Sequence, residues 1–184
     1  MKKISLVLSF AASLACTNAF AEGDWYGSIK AGANFPDLSY VNDGWQLDAA
    51  IGYSYLLEEY YSENAFSLRF EFNPGFQTNS HSGPGGAGDI GRFMGNVLVD
   101  YPLIGCSYVY GGLGMGGAYY MLPSLGDDFV FAYQAMAGIG FIVDEGVHLE
   151  VGYRFFSSED QDMGGISIKA PKFHSVEAGI RFEF

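Results

Sequence analysis

The sequence predicts an all-β chain, an eight-stranded antiparallel up-and-down transmembrane β-barrel. Three observations carry that prediction. The chain opens on an export leader, it continues as eight segments whose residues alternate between apolar and polar, and it ends on an aromatic residue that closes the last such segment.

The leader reads "MKKISLVLSFAASLACTNAFA". Lys2 and Lys3 form a positive start, Ile4 to Ala15 an apolar stretch, and Ala19-Phe20-Ala21 a small-x-small cleavage site. Residues 1–21 are therefore expected to be a secretory signal peptide, and residues 22–184 a single barrel domain. "SLAC" at 13–16 is similar to a lipoprotein box, but Leu14 sits one position too close to Cys16. Beyond the leader, Cys106 is the one remaining cysteine, so no internal disulfide is expected. Without Lys2 and Lys3, seven basic residues face 21 acidic ones, a net charge of −14. Charge of that sign excludes nucleic acid as a partner.

Strands are expected at Trp25–Phe35, Trp45–Tyr55, Ala65–Asn73, Gly91–Tyr101, Ser107–Tyr120, Phe129–Val143, Val147–Phe156 and Phe173–Phe184. Each has two unlike faces. In the third, Phe66, Leu68, Phe70 and Phe72 oppose Ser67, Arg69, Glu71 and Asn73. In the seventh, Val147, Leu149, Val151, Tyr153 and Phe155 oppose His148, Glu150, Gly152 and Arg154. In the eighth, Val176, Ala178, Ile180, Phe182 and Phe184 oppose Glu177, Gly179 and Arg181. Lys30, Asp48 and Arg92 mark the polar faces of the first, second and fourth strands.

Alternation alone does not say which face points outward. Aromatic residues near the ends of the apolar rows (Trp25, Phe35, Trp45, Tyr55, Phe93, Tyr101, Phe155) suit the two interfacial girdles of a membrane barrel. The polar rows mix Arg and Glu on neighbouring strands, as a narrow ionic interior would. On that basis Arg69, Glu71, Arg92, Glu150, Arg154, Glu177 and Arg181 are expected to interlock as a lumenal ionic core.

The fifth strand, "YVYGGLGMGGAYY", places five glycines in seven residues and matches G-x-G-x-x-G at Gly112, Gly114 and Gly117. With so few positive charges nearby, a nucleotide cradle is a poor reading. Gly112, Gly114, Gly116 and Ala118 share the lumenal face, as do Gly138 and Gly140 on the next strand. Together they are expected to form a small-residue wall against which the long charged side chains lie.

The last segment, "SVEAGIRFEF", runs Gly179-x-x-Phe182-x-Phe184. This resembles the β-signal by which the assembly machinery recognises Gram-negative outer-membrane barrels. The whole of residues 24–184 is similar to the eight-stranded outer-membrane barrel families, namely the OmpA membrane domain, the OmpX and opacity-protein types, and the outer membrane protein β-barrel domain. That resemblance implies residence in the Gram-negative outer membrane with both termini periplasmic. Loops 36–44, 74–90, 121–128 and 157–172 would then face outward, and turns 56–64, 102–106 and 144–146 inward. Lipid, lipopolysaccharide and the barrel assembly machinery are the implied partners, with an extracellular ligand at the loops. The resemblance rests on no catalytic motif and so bears on fold and location more than on activity; with no catalytic constellation assembled in the sequence, the expected role is a non-enzymatic surface protein that supports envelope integrity. The alternatives are a narrow cation-preferring porin-like channel and a lipid A-modifying enzyme.

The residues offer little chemistry. Gly83 and Gly88 have the spacing of a Walker A loop, but Asp89 stands where lysine should be. Asp160, Asp162 and Gly164 make only half of a calcium loop. His174 and Ser175 point to opposite faces, and Ser80-His81-Ser82 lies in a glycine-rich loop. No cofactor is expected. Asp37, Asp43, Asp127, Asp128, Glu159, Asp160 and Asp162 make the outer rim acidic. That rim is expected to take up divalent cations loosely beside lipopolysaccharide phosphates.

Overall fold

The computed structural model describes residues 23–37, 41–57, 66–81, 88–103, 105–122, 126–163, 166–168, 170 and 172–184. The expected signal peptide at 1–21 lies outside these residues, and so does the expected first turn at 56–64 apart from residues 56 and 57, which belong to a strand. Eight long strands are present: β1 (Gly23–Pro36), β2 (Val41–Leu57), β3 (Phe66–His81), β4 (Gly88–Pro102), β5 (Ser107–Leu122), β6 (Gly126–Asp144), β7 (Val147–Ser158) and β10 (Phe173–Glu183). They close in the order β1-β10-β7-β6-β5-β4-β3-β2 as one antiparallel barrel. The seam runs from Tyr26↔Glu183 to Pro36↔Phe173, and the Phe184 N–H donates to the Trp25 carbonyl at 2.8 Å. Closure leaves no long strand with an unpaired edge.

Two expectations are corrected. Residues 74–81 and 88–90 are strand where a loop is expected: β3 continues to His81 and β4 begins at Gly88. Pro74-Gly75 reads as a breaker because proline cannot donate to a ladder. Here the side chain beside it supplies the missing donor. The β2–β3 register skips from Asp48↔Gly75 to Ile51↔Phe72, and Asn73 Nδ2 donates to the Ala49 carbonyl at 2.8 Å. The strand therefore survives its proline. Likewise, 157–172 is not wholly irregular, since β8 (Gln161–Met163) and β9 (Ile166–Ile168) pair as a separate antiparallel ribbon.

The β6–β7 turn matches its composition. Gly146 takes φ 72°, and the register shifts between Ile142 and Asp144, which is a bulged hairpin built on a left-handed glycine.

Alternation sorts the side chains as a membrane barrel requires. Large apolar residues cover the outside, with Leu113 at 70%, Met115 at 66% and Phe129 at 63% exposure. A band of this extent far exceeds any patch tolerated on a soluble monomer. Aromatic pairs sit toward its two margins. Trp25 and Tyr53 meet edge to face at 5.6 Å at the end that carries the termini, and Trp45 and Phe76 meet at 6.0 Å toward the loop end.

Candidate functional site

The lumen is where sequence and structure concentrate polar chemistry. Its buried charges among the described residues are Lys30, Arg69, Arg92, Arg154 and Arg181 against Asp48, Glu71, Asp100, Glu150 and Glu177. Cations and carboxylates are equal in number, so the interior is formally neutral.

Glu150 on β7 is the hub. Its Oε2 lies 2.7 Å from Lys30 Nζ. Its Oε1 lies 3.1 Å from Arg69 Nη1 and 3.6 Å from Arg181 Nε, and accepts a hydrogen bond from the Tyr108 hydroxyl at 2.8 Å. Asp100 on β4 takes Arg69 Nη2 at 2.8 Å and Arg181 Nη1 at 3.3 Å. Nearer the loop end, Arg154 forks onto Glu177 at 2.9 and 3.2 Å. Its Nη1 donates to Asn73 Oδ1 and Gln134 Oε1, both at 3.0 Å. Arg92 Nη2 donates to Asp48 at 2.9 and 3.1 Å. By strand order, β3 faces β7 and β4 faces β10 across the barrel, so Arg69–Glu150 and Arg181–Asp100 span its diameter.

Of the seven residues anticipated for this core, six stand in ion pairs with one another or with other lumenal groups. Glu71 is held differently, by the Tyr26 hydroxyl at 3.0 Å and Asn96 Nδ2 at 2.7 Å. Lys30, Asp48 and Asp100 complete the network and were not assigned to it. Their signal was present: Asp100 has the parity of Arg92 on β4, and Lys30 and Asp48 are register partners.

The small-residue wall also differs from the expectation. Uncharged side chains, not the charged ones, lie directly on it. A Cβ at Gly140 would collide with the Tyr108 ring, and one at Gly138 with the Tyr110 ring. Leu98 fills the space over Gly112, and Asn96 fills that over Gly114. The cations form the next layer. Lys30 Nζ stands 4.9 Å and Arg69 Cζ 5.4 Å from the Tyr110 ring, and Arg181 Cζ stands 5.3 Å from that of Tyr108. Glycine, tyrosine and cation are thus stacked in that order. Gly179 of the expected assembly signal makes room for Lys30 Cγ, while Phe182 points outward at 38% exposure.

At the loop end the lumen turns apolar. Val41, Ile90, Tyr120, Val130, Phe156 and Phe173 form a buried cluster that plugs the barrel above the ionic core. Phe156 and Phe173 stack at 6.3 Å, and Arg92 lies 5.2 Å over the Phe156 ring. Sequence reasoning missed this plug, because most of its members fall at strand ends where apolar residues also mark girdles.

The residues weighed for catalysis are separated or engaged. Ser175 is buried and donates to Asn34 Oδ1 at 2.7 Å, whereas His174 faces outward and bonds the Tyr153 hydroxyl at 2.5 Å. His148 bridges Arg181 at 2.9 Å and Glu183 at 3.2 Å. Asp160 accepts from the Ala170 N–H at 3.0 Å. Ser82, Gly83 and Gly164 lie outside the described residues.

No protein-family model and no curated protein matches the chain. Solved structures do. Neisserial surface protein A covers 88% of this chain and 97% of its own, at 17% identity and TM-score 0.66. The attachment invasion locus protein Ail of Yersinia pestis, solved with the heparin analogue sucrose octasulfate, covers 89% and 99% at 17% identity and TM-score 0.52. The outer membrane enzyme PagL covers 86% and 99% at 14% identity and TM-score 0.51. This chain has the fold of the eight-stranded outer-membrane barrels. Surface proteins and an enzyme share that fold, so it does not decide activity, and the contents of the lumen must.

Proposed function

We propose that this chain is a non-enzymatic outer-membrane surface protein that supports envelope integrity and meets external partners through its loops. Both termini are periplasmic in this reading. Gly179, Phe182 and Phe184 present the last strand to the assembly machinery, and lipid with lipopolysaccharide surrounds the barrel. The observation that carries it is the filled lumen. Arg69, Arg92 and Arg154 are each 1% exposed, a value that a water-filled pore lined by the same residues would not leave. Their partners are protein carboxylates, and an apolar plug covers them on the loop side. With the interior committed to its own side chains, recognition is left to the outer surface.

Planar-bilayer recording of the purified barrel tests this. The expected result is no stable open step. Reproducible cation-preferring conductance would establish the channel reading instead. Mass spectrometry of lipid A from cells with and without the protein addresses enzymology, and an altered acyl or headgroup pattern would overturn the non-enzymatic reading.

A further inference from the structure

After residue 21 the chain has seven Lys and Arg residues, and five of them are the lumenal cations. The other two, Lys169 and Lys172, fall within four positions of each other in the segment leading into β10. The same rim otherwise carries the carboxylates of Asp37, Asp43, Asp127, Asp128, Glu159 and Asp160. Among the described residues, the Lys or Arg side chain outside the lumen is therefore that of Lys172, beside the closing seam.

That place is built. Lys172 is clamped to the end of β1 through its backbone. The Asp37 N–H donates to the Lys172 carbonyl at 2.9 Å, and the Lys172 N–H donates to Asp37 Oδ1 at 2.9 Å. The Lys172 side chain itself is exposed. Two residues on, His174 faces outward and is half-buried. Phe35 is its register partner on β1, and Phe155 lies 5.5 Å away on β7. The Tyr153 hydroxyl bonds His174 Nδ1. With tyrosine donating, the proton of the neutral ring resides on Nε2, whose N–H points away from that bond. Phe35 and Tyr153 are 43% and 44% exposed, which sets this cluster in the aromatic girdle where headgroups meet hydrocarbon.

We propose that Lys172 and His174, with Tyr153 orienting the imidazole, bind a phosphate of a phosphorylated outer-leaflet glycolipid at the β7–β10–β1 seam. The rest of the rim is rich in carboxylates and repels such a phosphate, while the carboxylate at this patch, Asp37, already accepts the Lys172 N–H, so this patch selects where the lipid seats. Aromatic rings on either side receive the upper part of its acyl chains. The inference rests on the outer-membrane orientation proposed above.

The test uses the folded barrel in phosphatidylcholine nanodiscs containing either bisphosphorylated lipid A or its dephosphorylated form, with retention read by native mass spectrometry. Preferential retention of the phosphorylated lipid is expected, and it should survive a chelator. Lys172→Ala and His174→Leu, both outside the lumen, should each weaken retention about tenfold while the barrel's thermal midpoint stays unchanged. Inorganic phosphate at millimolar concentration should not compete, because it lacks the acyl chains. Equal retention of both lipids, full retention by both variants, or loss on chelation alone would overturn the proposal, the last in favour of cation bridges to the acidic rim. Competition by inorganic phosphate would assign the patch to a free anion instead. A barrel that does not insert into nanodiscs at all would refute the membrane reading beneath it.

Discussion

Glu150→Gln is the sharpest probe of the lumen. The substitution keeps shape and removes one charge, leaving five cations against four carboxylates. Its cost can be followed contact by contact. Arg69 and Arg181 retain Asp100 at 2.8 and 3.3 Å. Lys30 does not fare as well, since its other carboxylate partner among the described residues is Glu177 at 3.9 Å. A buried ammonium thus loses its close partner, for which about 3–5 kcal/mol is expected. That is a large share of the ~5–15 kcal/mol that typically holds a domain folded. Lys30→Met in the same chain removes the orphan and restores neutrality at four of each. The double variant should therefore be less destabilised than the two single changes summed, by about 1–3 kcal/mol. Urea unfolding in detergent or lipid, followed by the fluorescence of Trp25 and Trp45, measures this, because both indoles stand outside the barrel at 52% and 54% exposure. A Glu150→Gln midpoint within ~0.5 kcal/mol of wild type, or strict additivity in the cycle, would refute the charge-balance reasoning.

Other substitutions test other layers. Gly140→Val drives a branched side chain into the Tyr108 ring and should cost about 1–3 kcal/mol or prevent folding, with partial rescue by Tyr108→Ala, both read from the same unfolding curves. Asn73→Ala leaves the Ala49 carbonyl without its donor and Arg154 without one acceptor. Adding Pro74→Ala supplies a backbone N–H and should recover about 1 kcal/mol of the loss, whereas Pro74→Ala alone changes little. Phe156→Ala opens the apolar plug at a cost of about 3–5 kcal/mol, yet bilayer recordings should still show no open step, because the ionic core beneath it is intact. Sustained conductance from that variant would place the permeability barrier in the plug alone.

The strand count, the facing of each strand and the lumenal placement of its arginines were legible because a period of two leaves little freedom once one face meets lipid. What escaped depends on side-chain contacts between strands, which one strand's own pattern does not carry. Nothing local announces that Asn73 can stand in for the N–H of Pro74, so a proline-glycine pair read as the end of β3. Phe156 and Phe173 carry the same letters as girdle residues, and only the β7–β10 register shows them meeting inside. Asp100 and Lys30 had the right parity, but pairing Asp100 with Arg69 requires the β3–β4 register, and pairing Lys30 with Glu150 requires the β1–β10 seam that brings β1 near β7. The glycine wall was placed on the correct face with the wrong occupants. Tyr108 and Tyr110, on the strand that carries most of those glycines, fold over their neighbours before any arginine arrives.

The two ion pairs that cross the diameter bear on how such a molecule comes into being. Arg69 cannot reach Glu150, nor Arg181 Asp100, while the sheet is an open ribbon, because their strands sit four places apart in either direction. Every incomplete sheet therefore lacks the pairs that cross the diameter. Adding hairpins one by one gains ladder hydrogen bonds and neighbouring-strand pairs such as Arg69–Asp100 and Arg154–Glu177, but it does not complete the network. Only the last seam, β1 against β10, brings all the partners within reach together. The core thereby acts as a latch, set by geometry, that separates a finished barrel from any curved intermediate one strand short of it.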